Sequence, residues 1–124
     1  MSTTTPGPID LLAKARLLEE PWQPHVVAEV NDYQFKVARL AGDFVWHDHP
    51  ETDEAFLVLD GRLRIDLPGG PVQLAPGELF VVPAGMKHKP YAEQDTLVLL
   101  IEPRGVRNTG STGGERTAEQ DRWI

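Results

Sequence analysis

The sequence predicts an all-β protein, a sandwich or barrel of short strands with one short helix at its N-terminus. Three observations predict it. From Val26 onward, short runs rich in Val, Leu, Ile and aromatic residues follow one another closely. Turn signals separate them: Asn31 with Asp32, Ala41 with Gly42, Asp60 with Gly61, the stretch 68–71, Pro76 with Gly77, and Pro83 to Gly85. The run 62–67 alternates strictly, with Leu63, Ile65 and Leu67 toward one side and Arg62, Arg64 and Asp66 toward the other.

Residues 1–7 read as a flexible leader. Pro8 suits the first turn of a helix, and good helix formers continue to Glu20, so residues 8–20 form the N-terminal helix. Leu11, Ala15 and Leu18 make one apolar stripe with Leu12 beside it, a face that packs on the outside of the sheet or on a partner subunit. Pro21 and Pro24 end the helix. The predicted strands are 26–30, 33–40, 44–49, 54–59, 62–67, 72–74, 79–82, 87–92 and 96–102, and residues 26–103 make the barrel. The runs 56–59 and 97–101 are apolar on both faces, so both faces are covered, and a homodimer would supply cover that one helix cannot. After Pro103 the chain turns polar and glycine-rich. Residues 104–124 form a tail whose last residues, Trp123 and Ile124, dock back onto the body.

Composition bounds the function. The 124 residues suffice for one domain with a real core. Nineteen acidic residues against twelve basic ones give a net charge of −7, which argues against nucleic acid or an anionic membrane as partner. No apolar run is long enough to span a membrane, and the first residues lack the basic start and apolar segment of a signal peptide, so a cytoplasmic protein is the expectation. With no cysteine, disulfides, cysteine–zinc sites and iron–sulfur clusters are excluded.

Three of the four histidines fall into one pattern. His47 and His49 are two residues apart, which on a strand puts both on one face together with Val45. The polar stretch 50–53, with its proline, reads as a turn, and Glu54 opens the returning strand with Phe56 and Val58 on its face. His88 follows the turn at Pro83 and Gly85. Three imidazoles and a carboxylate are ligands for a divalent transition metal, and they leave coordination positions open on an octahedral ion. Asp53 is a rival to Glu54; the spacing to Gly61 and the facing of Phe56 and Val58 favour Glu54. His25 lies outside the pattern and reads as a loop or strand-start residue. Lys87 and Lys89 flank His88 and point away from the metal.

These residues resemble the two motifs of the cupin superfamily. His47-x-His49, four residues, Glu54, six residues and Gly61 fit the first, G(X)5HXH(X)3-4E(X)6G. Gly77, five residues, Pro83-x-Gly85, two residues and His88 fit the second, G(X)5PXG(X)2H(X)3N. Two positions depart: Gly42 stands four residues before His47 where the pattern has five, and Ala92 stands at the Asn position. Neither is a ligand position. The resemblance spans about residues 26 to 103. It implies the double-stranded β-helix, a jelly-roll barrel, with one divalent metal on His47, His49, Glu54 and His88. Small single-domain chains of this kind also resemble proteins labelled mannose-6-phosphate isomerase-like, yet no gathered basic cluster stands here to hold a sugar phosphate.

Two functions follow from that pattern. One is a metal-dependent enzyme of oxygenase or isomerase/lyase type, with Fe, Mn, Ni, Co, Cu or Zn as the metal and a small organic substrate; Glu54 serves as ligand and can serve as base. Val45, Phe56, Val58, Phe35 and Val82 are the expected pocket lining, suited to a partly apolar or aromatic molecule. The other is a non-catalytic small-molecule-binding or sensor barrel.

Overall fold

A computed structural model describes residues 6–124. The leader expected at 1–7 falls largely outside the described residues. The helix α1 spans Leu11–Arg16, shorter than expected at both ends. Pro8 is not its first residue. Instead the Asp10 side chain accepts the Ala13 N–H at 3.0 Å and caps the first turn. Leu11, Leu12, Ala15 and Leu18 nonetheless share one cluster against the sheet, as their spacing dictates.

Seven strands follow: β1 His25–Val30, β2 Tyr33–Asp43, β3 Glu54–Asp60, β4 Leu63–Asp66, β5 Val72–Leu74, β6 Leu79–Val82 and β7 Lys89–Pro103. All pairings between them are antiparallel. The order is β1-β2-β7-β3-β6, with β4 joining β7 to β5. The long β7 is the spine. Its C-terminal half runs between β2 and β3, while Lys89 to Tyr91 pair with β4. One continuous strand thus serves both halves of a jelly roll, where two separate strands, 87–92 and 96–102, were expected. The predicted turn at Ala41 and Gly42 is likewise a bulge inside β2. The register slips between Leu40 and Gly42, and Gly42 takes a φ of 72°.

Side-chain parity divides the apolar residues into two clusters. Ala38, Leu40, Phe56, Val58, Leu63, Ile65, Val82, Val98 and Leu100 fill the inside of the barrel. Val37, Leu97, Leu99, Phe35, Leu57 and Leu59 face outward and are covered by α1. The strands apolar on both faces are therefore sandwiched between the interior and the helix. On β4, Leu63 and Ile65 are buried as expected, and Arg64 lies over the Tyr91 ring at 4.3 Å. Gly61 turns β3 into β4 with a φ of 94°; a Cβ there would meet Thr96 Oγ1 at 2.5 Å. That close approach lets the Thr96 hydroxyl donate to the Arg62 carbonyl at 2.9 Å.

The tail is ordered against the body. The Arg122 carbonyl accepts the Val26 N–H at 2.6 Å, and Ile124 N–H donates back to the Val26 carbonyl at 3.1 Å. Ile124 packs into the outer cluster, while Trp123 stays half exposed. Among the described residues, no helix is long and apolar enough to cross a membrane.

Candidate metal centre

The segment after β2 was expected as a strand over 44–49. It is extended but leaves the ladder, and of its residues only His47 forms a bridge, with His88. The backbone explains the difference. Phe44 N–H goes to the Pro90 carbonyl, the His49 carbonyl takes the Gly85 N–H at 2.9 Å, and the Asp48 carbonyl takes Ser111 N–H at 3.1 Å. The Phe44 bond reaches β7, but the His49 and Asp48 carbonyls are satisfied by a turn and by the tail rather than by a neighbouring strand. Glu54 is the first residue of β3, where Val82 of β6 is its partner.

The four predicted ligands converge. His47, His49, Glu54 and His88 are all buried, and one candidate ligand atom from each lies within 4.8 Å of all the others. The ring centroids of His47 and His88 are 4.2 Å apart. Backbone carbonyls orient two of the rings: His47 Nδ1 bonds to the Val45 carbonyl at 2.8 Å and His88 Nδ1 to that of Met86 at 3.0 Å. A carbonyl only accepts, so each Nδ1 carries a proton, and each ring turns its Nε2 inward.

That leaves an electrostatic gap. Glu54 Oε1 stands 3.3 Å from His88 Nε2 and 3.3 Å from His49 Nε2. Both Nε2 atoms thus face one carboxylate oxygen, and His49 Nε2 is buried without a hydrogen-bond partner. A cation among them would satisfy all of these groups at once. The charge states suit that cation. Burial, and then the neighbouring charge of His88, lower the His47 pKa to about 4, so its ring is neutral near pH 7. Burial pushes Glu54 up, but the neighbouring His49 and His88 side chains, and then Glu102, outweigh it and hold the carboxyl below its ordinary value. Three imidazole nitrogens and one ionised carboxylate fit a divalent transition metal.

Beside the cluster lies a small cavity of about 30 Å³. His47, Glu54 and Phe56 line it together with Trp22, Phe44 and Leu100. Phe56 is where the sequence placed it. Val58 and Val82 sit in the same inner cluster without reaching the cavity wall, and Val45 packs against that cluster from its edge. Phe35 is a correction. On β2 the inward positions are Gln34, Lys36, Ala38 and Leu40, so Phe35 lies on the opposite face under α1. Asp53 is exposed and accepts the Ala84 N–H at 2.8 Å, outside the cluster. His25 Nδ1 bonds to the Gln23 carbonyl, also outside it. Lys89 pairs with Asp43 and Asp66, away from the ligands.

Several residues at the site escaped the sequence reading. Trp22 is buried with a φ of 62°, stacks on Phe44 at 4.6 Å, and donates from Nε1 to the Ala41 carbonyl. The tail straps the site from outside. Asn108 Nδ2 donates to the Trp22 carbonyl, and Thr112 Oγ1 to that of Trp46. Gly110 lies so close that a Cβ would stand 1.9 Å from the Asp48 carbonyl oxygen and 3.2 Å from His49 Nδ1. Nothing local in a glycine-rich polar stretch signals such docking. For the buried Lys36 and Glu102 a signal existed: each shares strand parity with inward apolar residues.

The cupin domain family matches residues 33–102. The Bacillus subtilis protein YdbB is 33% identical over 94 residues, 75% of this chain and 83% of that protein. Among solved structures, a cupin-2 domain containing protein from Shewanella frigidimarina is 44% identical with a TM-score of 0.76, covering 77% of this chain and 94% of that one. NMB1881 from Neisseria meningitidis is 30% identical with a TM-score of 0.72, covering 78% of this chain and 99% of that one. With the family matched over more than half its length and the three histidines and Glu54 gathered at the barrel's interior, the chain belongs to the cupin domain family.

Proposed function

We propose that this cupin holds one divalent transition metal on His47, His49, Glu54 and His88 and acts as a metal-dependent enzyme on a small, partly apolar organic molecule. The observation that carries the reading is Glu54 Oε1 at 3.3 Å from the Nε2 atoms of both His49 and His88, three buried ligand atoms gathered as a divalent cation requires. A bound ion supplies Lewis-acid chemistry, or oxygen chemistry if it is redox-active. The protein's own groups do the rest. His47 and His88 are held in one tautomer by the Val45 and Met86 carbonyls, and Phe44, Phe56 and Trp22 exclude water. Glu54, ionised and buried, is the one carboxylate on the cavity wall able to take a proton from a substrate.

The cavity lining contains no Lys or Arg, which favours an apolar or aromatic substrate over a sugar phosphate. The tail's hydrogen bonds to the Trp22 and Trp46 carbonyls favour a second reading, a non-catalytic sensor whose tail reports occupancy of the barrel. We also propose a homodimer. The edge strand β6 exposes Leu79 and Val81, at 58% and 47%, a pair that a second copy would cover.

The test is elemental analysis of untagged protein beside the His47→Ala/His88→Ala double variant. Near one equivalent of metal in the wild type and none in the variant supports the reading and directs substrate screening toward oxygen-dependent or Lewis-acid chemistry. No metal in the wild type, even after reconstitution with Fe(II), Mn(II) and Zn(II), overturns it and leaves the ligand-binding barrel as the better description.

A further inference from the structure

The cavity beside the ligands has walls of two origins. Ala38, Leu40, Phe56 and Leu100 come from the barrel strands, whereas Trp22 precedes β1 and Asn108 belongs to the tail. Trp22 is the largest of these side chains, and it is 5% exposed. Its indole stacks on Phe44 with ring centroids 4.6 Å apart and planes inclined by 22°. The Phe44 ring in turn stands at 89° to the His47 ring, 5.3 Å away. An aromatic column therefore runs from the segment before β1 to one of the four ligands.

The chain holds this indole in place against a conformational cost. Trp22 has a φ of 62°, in the left-handed region that a bulky side chain rarely adopts. Three hydrogen bonds keep it there. β1 pairs with β2 no further than Val37, and beyond that point Trp22 takes the carbonyls of β2. Its N–H donates to the Arg39 carbonyl at 2.8 Å, and Nε1–H to that of Ala41, at the bulge, at 2.9 Å. Its own carbonyl accepts from Asn108 Nδ2 at 3.2 Å. Asn108 is itself fixed: it donates to the Arg116 carbonyl and accepts the Ala118 N–H, each at 2.8 Å. Strained backbone persists where its surroundings over-determine it, and such residues gather at binding sites. A side chain needed only as filling would close the space. This one leaves a cavity of about 30 Å³ that it shares with His47 and Glu54.

Resting on the reading of the cluster as a metal centre, we propose that Trp22 is the specificity-determining residue of this cavity. Its indole sets how large a group a metal-bound molecule can carry, and the cavity takes a molecule with a polar, metal-binding head and a short apolar group. Asn108 and the Ala41 carbonyl hold the indole where it sets that limit. The wall comes from connecting segments, so its reach is independent of the strands that carry the ligands.

The experiment is titration of the Co(II)-loaded full chain with acetohydroxamate and with benzohydroxamate, read by the visible absorption of the ion, with a melting curve for each variant. The two probes share one chelating head and differ only in a methyl against a phenyl group. Wild type is expected to bind acetohydroxamate about 10–100-fold more tightly, the penalty of overfilling a packed space. Trp22→Ala removes the indole and is expected to abolish or reverse that preference. A general loosening of the fold would weaken both probes together, so the ratio separates a cavity wall from a structural plug. An unchanged ratio in Trp22→Ala overturns the proposal, as does a wild type that binds both probes equally or neither. If Trp22→Ala fails to fold, Trp22→Leu decides in the same way: a reduced preference supports the proposal and an unchanged one overturns it. A wild type that takes up no Co(II) overturns the metal-centre reading itself, a result distinct from any of these.

Discussion

His47 and His88 exchange both of their backbone hydrogen bonds: His47 N–H donates to the His88 carbonyl at 3.0 Å and His88 N–H to the His47 carbonyl at 2.9 Å. Forty-one positions apart in sequence, the two motifs are thus fastened at one rung. That rung is made of backbone atoms alone, so removing one imidazole should empty the site without unfolding the barrel. His88→Ala is expected to weaken divalent-metal binding more than about hundredfold, beyond the loss typical of an outer partner, while far-ultraviolet circular dichroism stays that of a β protein. His25→Ala, whose ring bonds to the Gln23 carbonyl away from the cluster, should bind metal as wild type does. Equal losses in both would show that the ligands are misassigned.

Acid should weaken the metal-free fold through His47. A free histidine side chain titrates near 6.5, whereas in the fold this one stays neutral down to about 4. Between those values the unfolded chain binds the extra proton, so stability is highest above pH 6.5, falls as pH drops to 4, and then levels off. The full effect is on the order of 3 kcal/mol at 1.36 kcal/mol per pH unit. Urea melts at pH 7 and pH 4.5, compared with those of His47→Gln, measure it. A pH dependence unchanged in the variant would contradict this assignment.

The strap at Gly110 should tolerate no side chain. Its φ of 56° is in the left-handed region, and the Asp48 carbonyl already occupies the place of a Cβ. Gly110→Ala should release the segment at a cost of about 1–3 kcal/mol in strain. Limited proteolysis should then cut within 104–118 sooner than in wild type, and a chelator should remove bound metal faster. Deleting 104–124 should give the same faster removal from a barrel that still folds. An insoluble truncation would place the tail in the folding core instead.

Covering the edge strand should set the oligomeric state. Leu79→Glu with Val81→Glu puts charges on the exposed face of β6 and is expected to convert a dimer to a monomer in sedimentation velocity. A wild type that sediments as a monomer would contradict the homodimer.

Much of this was legible in the sequence because it depends on local spacing. Leu63 and Ile65 alternate with charged residues and point inward; the helix stripe of Leu11, Ala15 and Leu18 meets the sheet; His47, His49, Glu54 and His88 converge. What failed depends on long-range geometry. Phe35 was assigned to the pocket on its character, whereas the parity of Lys36 and Ala38 puts it outside. Residues 44–49 have the composition of a strand but form a bridge only at His47, because a turn takes the His49 carbonyl and the tail the Asp48 carbonyl. Trp22 and Gly110 reach the site from segments that no periodicity marks.

X-ray absorption of the Zn(II)-loaded protein tests the metal centre most directly, since it counts imidazole ligands around the ion. The expected result is three histidine nitrogens at about 2.0–2.1 Å and one carboxylate oxygen at about 2.0–2.2 Å, with the imidazole signal reduced by one ring in His88→Ala. A shell of water and carboxylate oxygens with no imidazole scattering, or a signal unchanged by that substitution, would contradict it.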